Sequence, residues 1–86
     1  MRVLIPNPLR SYTSNAAAVD ALGTTLGELT EDLDVRYPGM RFRVIDEQGQ
    51  IRAHIKFFVN GSQKRSLAEP LSDGDDVMIV CALSGG

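Results

Sequence analysis

Apolar residues recur along this chain in two rhythms, one of period two and one of period three to four. Val3-Leu4-Ile5 is a short apolar run near the first residue, which predicts a buried strand. Pro6-Asn7-Pro8 then breaks it with turn chemistry. A second strand is expected from Ala16 to Leu22. It rests on Val19 and Leu22, its alanines suit a helix equally, and Gly23 closes it. The helical rhythm follows: Leu26, Leu29, Leu33 and Tyr37 make one apolar stripe, with Glu28, Glu31, Asp32 and Asp34 on the outer faces. Thr25-Leu26-Gly27-Glu28 reads as a capping box, in which the Thr25 hydroxyl and Glu28 carboxylate take up free amides. Pro38-Gly39 ends this helix.

Beyond the helix the pattern shortens. Phe42 to Ile45 predicts a short strand or an irregular segment, and Asp46-Glu47-Gln48-Gly49 a turn. Ile55-Lys56-Phe57-Phe58-Val59 predicts a strand with Ile55, Phe57 and Val59 on one face. Asn60-Gly61 permits positive φ at both centres of a tight hairpin turn. Leu67 to Leu71 crosses to a second tight turn at Asp73-Gly74-Asp75. Val77 to Leu83 predicts the last strand, with Val77, Ile79, Cys81 and Leu83 on one face. One amphipathic helix among several strands implies a two-layer α+β domain. The expected core is Ile5, Leu26, Leu29, Leu33, Phe57, Val77 and Ile79.

Length and charge narrow the function. With 86 residues the chain is one domain. A domain this small buries only around 60% of the surface of its unfolded chain, leaving little room for a large cofactor or a deep cleft. The net charge is −2, and without a basic run the chain is not expected to bind nucleic acid. The opening apolar run is too short for a signal peptide, and no stretch has the length to span a bilayer. The expectation is a cytoplasmic protein that binds no membrane.

The informative feature is the ending, Leu83-Ser84-Gly85-Gly86, straight after a strand. Glycine has no Cβ, so the backbone can approach another protein closely. If the last strand lies parallel beside the first, such a tail can thread a narrow channel and present its carboxylate to ATP. The carrier itself then needs no catalytic side chain. A Gly-Gly dipeptide alone is equally a frayed end.

The preceding residues add a resemblance. Val59-Asn60-Gly61, then Leu71-Ser72-Asp73-Gly74-Asp75-Asp76-Val77-Met78-Ile79, then Leu83-Ser84-Gly85-Gly86 resemble the ubiquitin-like sulfur carriers over essentially the whole chain. That family includes the thiamine-pathway carrier, the small subunit of molybdopterin synthase and the carrier for cysteine synthesis. Ile5-Pro6, Leu9-Arg10 and Thr13 are similar to the opening of the cysteine-synthesis branch. The resemblance implies a ubiquitin-like β-grasp domain over residues 1–83, a mixed sheet with one main helix on one face, and a flexible tail over 84–86. It implies that Gly86 bears an adenylate and then a thiocarboxylate, that Gly85 is the narrow residue behind it, and that Ser84 and Leu83 guide the tail. Cys81 and Ala82 stand where many relatives have proline, so this tail is expected to be less stiff.

The implied partners are an ATP-dependent adenylating enzyme, a sulfur donor, a pyridoxal-phosphate synthase resembling cysteine synthase, and a metal-dependent peptidase that releases the product amino acid. ATP and pyridoxal phosphate belong to those enzymes; the chain is expected to bind no cofactor or metal. Two other roles fit the family: the small subunit of molybdopterin synthase, and a protein modifier joined through Gly86 to lysines.

Other side chains receive plainer readings. Cys81, the single cysteine, reads as a small hydrophobe in an apolar strand, with no histidine near it in sequence. His54, the only histidine, reads as a surface or partly buried polar residue. Asp73, Asp75 and Asp76 lack the further ligands of a calcium loop and read as turn residues with fringe charge. Arg41, Arg43, Arg52 and Lys56 form the only basic concentration and read as a solvated face.

Overall fold

The computed structural model describes residues 1–82. In chain order the elements are β1 (Arg2–Leu4), a 3-10 helix (Asn7–Thr13), β2 (Ala18–Asp20), α1 (Leu26–Arg36), α2 (Met40–Val44), β3 (Ile55–Val59), β4 (Ser62–Lys64) and β5 (Asp76–Cys81). The strands form one mixed sheet in the order β2-β1-β5-β3-β4. β5 lies at its centre, parallel to β1 and antiparallel to β3.

The sheet is built on alternation. Val3 pairs with Val77, Val59 also pairs with Val77, and Phe57 pairs with Ile79. All five side chains point to one face and are buried there. Leu26, Leu29 and Leu33 of α1 cover that face and are fully buried. The whole expected core is buried, since a period-two face and a 3.6-residue stripe leave only one way to exclude water from both.

Both ends of α1 are fixed locally and by neighbours. The Thr25 hydroxyl accepts from the Glu28 amide at 3.2 Å. The Glu28 carboxylate reaches one residue further back than a capping box requires. It accepts from the amide of Thr24 at 2.9 Å and its hydroxyl at 2.6 Å. The crossing segment supplies the next partners. The Leu26 amide donates to the Glu69 carbonyl and the Gly27 amide to the Leu67 carbonyl. Tyr37 is the C-cap of α1 and is half-buried, so the fully buried stripe stops at Leu33.

Four expectations need correction. The second strand is Ala18–Asp20, shorter than Ala16 to Leu22; Leu22 is exposed because its amide turns away to the Asp32 carboxylate. Pro6-Asn7-Pro8 opens a 3-10 helix and is more than a turn, since proline favours the first positions of a helix, where its missing N–H costs nothing. Phe42 to Ile45 is neither strand nor irregular. It lies mostly within α2, whose Met40 and Val44, four apart, are both buried, while Ile45 is the C-cap. The Asp34 carboxylate at the end of α1 accepts from the Gly39 and Arg41 amides, each at 3.1 Å, and so starts that helix. Finally, β5 ends at Cys81. Leu83, expected on its inner face, lies outside the described residues.

Two turns at the far end of β5 are tied together. Asn60 and Gly61 have φ of 50° and 87°, the positive values expected of the hairpin. Asp75 accepts from the Ser72 amide and the Asn60 side-chain amide, and Asn60 in turn accepts from the Asp76 amide. These hydrogen bonds hold the Asp75 carboxyl below its ordinary value, the Ser72 amide contributing most. Asp75 is therefore committed to the turn.

Candidate functional site

β5 brings the chain to the site. It runs in the middle of the sheet from the Asp75 turn to Cys81, and one more hydrogen bond follows: the Ala82 amide donates to the His54 carbonyl at 2.7 Å. Ala82 is thus anchored beside the start of β3. The sequence-predicted site residues Leu83, Ser84, Gly85 and Gly86 follow directly but lie outside the described residues. The described structure therefore fixes the root of the segment expected to act.

The two sides of that root differ in chemistry. Toward β1 is an open groove of about 530 Å³, walled largely by apolar residues including Leu4, Pro6, Pro8, Met78 and Val80. Met78 and Val80 lie on the sheet face opposite the helix, where β5 alternation sends them. Toward β3 is a smaller depression of about 170 Å³ lined by Phe42, Arg43, Arg52 and His54. Arg43 and Arg52 therefore line one depression, whereas Arg41 lies in a separate concavity with Asp34 and Asp46. The basic residues read from sequence as one solvated face are thus split, since Lys56 lies on a third surface, along β3 beside Gln63 and Lys64. Sequence spacing could not join Arg52 and His54 to Phe42 and Arg43, because α2 had not been foreseen.

Cys81 pairs with Ile55 across the β3–β5 ladder and packs partly against the core. Burial pushes its thiol up from the ordinary value, and the positive charge of Arg43 opposes that push. The thiol is held protonated, a poor nucleophile. His54 is exposed beside it through its backbone. Among the described residues no three His, Cys, Asp or Glu side chains gather to hold a metal ion. No described helix is long and apolar enough to cross a membrane.

The residues Ile5, Leu9, Arg10 and Thr13, which carried the second resemblance, have structural work. Ile5, Leu9 and Thr13 are buried. Arg10 Nε donates to the Ile5 carbonyl at 2.9 Å, and the Thr13 hydroxyl lies 2.9 Å from the Ala16 carbonyl. They clamp the connection between β1 and β2, which forms the far wall of the apolar groove.

A mixed five-stranded sheet, a helix on one face, and a central last strand leading to Gly85-Gly86 define a ubiquitin-like domain. The chain belongs to the ThiS family, whose model matches residues 3–86. It is 36% identical to the sulfur carrier protein CysO of Mycobacterium tuberculosis, over 98% of this chain and 96% of that one. The crystal structure of M. tuberculosis CysO superposes with a TM-score of 0.89 at 33% identity, covering 95% of this chain and 98% of the other. A crystal structure of the Amycolatopsis orientalis BexX/CysO complex gives a TM-score of 0.90 at 31% identity, covering 99% and 98%.

Proposed function

We propose that this chain is a sulfur carrier that works through the carboxylate of Gly86 and contributes no catalytic side chain of its own. The observation that carries this reading is that the family match runs through Gly86 itself. The name of its relatives, sulfur carrier protein, supports it. So does the anchoring of Ala82, which fixes the residue from which Leu83, Ser84, Gly85 and Gly86 continue.

The chemistry follows from a glycine carboxylate. One carboxylate oxygen attacks the α-phosphorus of ATP in the active site of an adenylating enzyme, and pyrophosphate leaves. Sulfide attacks the acyl carbon, AMP leaves, and Gly86 becomes a thiocarboxylate. Gly85 keeps the approach narrow, and Leu83 and Ser84 guide the segment. The thiocarboxylate sulfur then passes to an acceptor on a pyridoxal-phosphate synthase, giving cysteine or a related thiol. A metal-dependent peptidase frees the product if it becomes joined to Gly86. In this scheme residues 1–83 are the folded domain and 84–86 the working tail. The A. orientalis relative is seen in complex with BexX, and we extend to this chain the expectation of a protein partner.

The test is intact-protein mass spectrometry after incubation with ATP, an adenylating enzyme of this family and sulfide. The mass should rise by the difference between sulfur and oxygen, and fragmentation should place the change on Gly86. Sulfur found on Cys81 instead would refute the terminal-carrier reading.

A further inference from the structure

The depression on the β3 side of Ala82 carries more than a solvated face would. Phe42, which is 57% exposed, and the exposed Arg43 come from α2. Arg52 and His54 come from the segment leading into β3. Arg52 is held on two counts: its Nε donates to the Phe42 carbonyl at 2.8 Å, and its guanidinium lies 4.6 Å from the centre of the Phe42 ring. The ion pairs among the described residues are Arg36–Asp32 and Lys64–Glu69, and neither Arg43 nor Arg52 takes part in one. On the adjoining loop the Asp46 carboxylate is occupied by the amides of Gln48 and Gln50, and Glu47 stands exposed. The chain carries net negative charge, so cations gather here against its average.

We infer that Phe42, Arg43 and Arg52 form a docking point for an acidic protein surface, the rim around the channel by which the adenylating enzyme admits Gly86. This rests on the carrier reading above. Four residues separate Ala82 from the carboxylate end, and fully extended they span at most about 14 Å. Whatever enzyme reaches Gly86 must therefore place its surface close to Ala82. Charges beside Ala82 act on that surface within about one Debye length, roughly 10 Å at 0.1 M salt.

Three features favour a protein rim over a free anion. The depression, about 170 Å³, falls below the 300–1,000 Å³ or so of small-molecule sites. Arginine and exposed aromatic side chains are the types that carry interface energy. Arg52 is already fixed in place, so little side-chain freedom is lost on docking. Arg43 and Arg52 lie on the side of the root away from the groove, while Arg10 in the groove is taken up by the Ile5 carbonyl and Asn7, so the unoccupied cations set the rotational orientation in which the carrier arrives.

The test compares adenylation kinetics of the native chain with Arg43→Glu, Arg43→Gln and Arg65→Glu. Arg65 is exposed beyond β4, so its variant has the same net charge as Arg43→Glu with the change placed elsewhere. At low salt, Arg43→Glu should lower kcat/KM by about tenfold or more through KM, with kcat kept, and the gap should close as salt rises from about 0.05 to 0.5 M. Arg43→Gln should fall between it and the native chain, and Arg65→Glu should stay within about twofold of native. Equal behaviour of the Arg43→Glu and Arg65→Glu variants, or a loss in kcat insensitive to salt, overturns the docking point. So does tight binding of free ATP or phosphate to the carrier alone that Arg43→Gln abolishes. If the native chain is not adenylated by any enzyme of this class, the carrier reading fails and takes this inference with it. If the native chain and Arg43→Glu load alike, only this inference fails.

Discussion

The amide of Ala82 donates to the carbonyl of His54 at 2.7 Å, one residue beyond the end of β5. That bond extends the β3–β5 ladder to the edge of the described fold. It places the root of the Gly-Gly segment between an apolar groove and two arginines. The described fold lies N-terminal to it, so that fold and the proposed tail can be perturbed separately.

Leu29 tests the scaffold. It is fully buried in the middle of α1. Leu29→Ala should cost about 2–5 kcal/mol, read from urea unfolding midpoints. A change under about half a kcal/mol would remove Leu29 from the core, since that is the scale of an ordinary surface substitution.

Gly23 tests the approach of the chain to α1. A Cβ there would lie 2.6 Å from the Leu29 amide nitrogen and 2.9 Å from the Leu29 Cα, backbone atoms that cannot swing aside. Gly23→Ala should destabilise by about 1–3 kcal/mol, as other overpacked sites do. An unchanged melting temperature would mean that the helix shifts freely.

Asp32 sets part of the acid sensitivity. The Leu22 amide, and then Arg36, hold its carboxyl below the ordinary value of 3.8. A lowered folded value means stability that is present above pH 3.8 and lost as pH falls through that lower value. Asp32→Asn should therefore melt lower than the native chain at neutral pH, with the difference shrinking at acid pH. Because the carboxylate is only half-buried and still reached by solvent, the effect should be small and salt-sensitive. A difference that grows on acidification would contradict this assignment.

Cys81 should be dispensable for carrying sulfur. Its raised thiol value keeps it protonated near neutrality. Cys81→Ser should load sulfur at Gly86 at least half as fast as the native chain, by the same mass measurement. In the native protein, alkylation of Cys81 should be slow near pH 7 and accelerate only in alkaline solution. Abolished loading in a folded serine variant would assign the sulfur chemistry to the thiol.

Deleting Gly86 tests the proposed carrier directly. Gly85 would then end the chain, one residue short, and a residue spans roughly 3.3–3.6 Å of extended chain. A displacement of about 1 Å can cost on the order of a hundredfold in rate, so loading should become undetectable. Thermal stability should hardly move, because the described core and sheet lie wholly within residues 1–82. Equal loading of the shortened chain would eliminate Gly86 as the sulfur-bearing residue.

The sequence by itself determined the elements whose rhythm is long or whose turn chemistry is singular. The leucines of α1, the alternation in β3 and β5, and the positive-φ pair Asn60-Gly61 each depend on local geometry, which spacing reports directly. The Gly-Gly ending was legible for the same reason, as were the residues that carried the family resemblance. Tertiary structure decided the rest. Five residues, Met40 to Val44, are too few to show a helical period, and their helix starts on Asp34, a side chain from another element. Leu22 left the second strand because Asp32, ten residues away, captures its amide. Arg52 came to lie on Phe42 because the chain folds back on the end of α2, where the Arg52 amide donates to the Val44 carbonyl and Ile45 bridges to Ile51, a proximity that no linear spacing encodes. The chemistry proposed for Gly86 is read from the last two residues, but the surface beside Ala82 is a product of the fold.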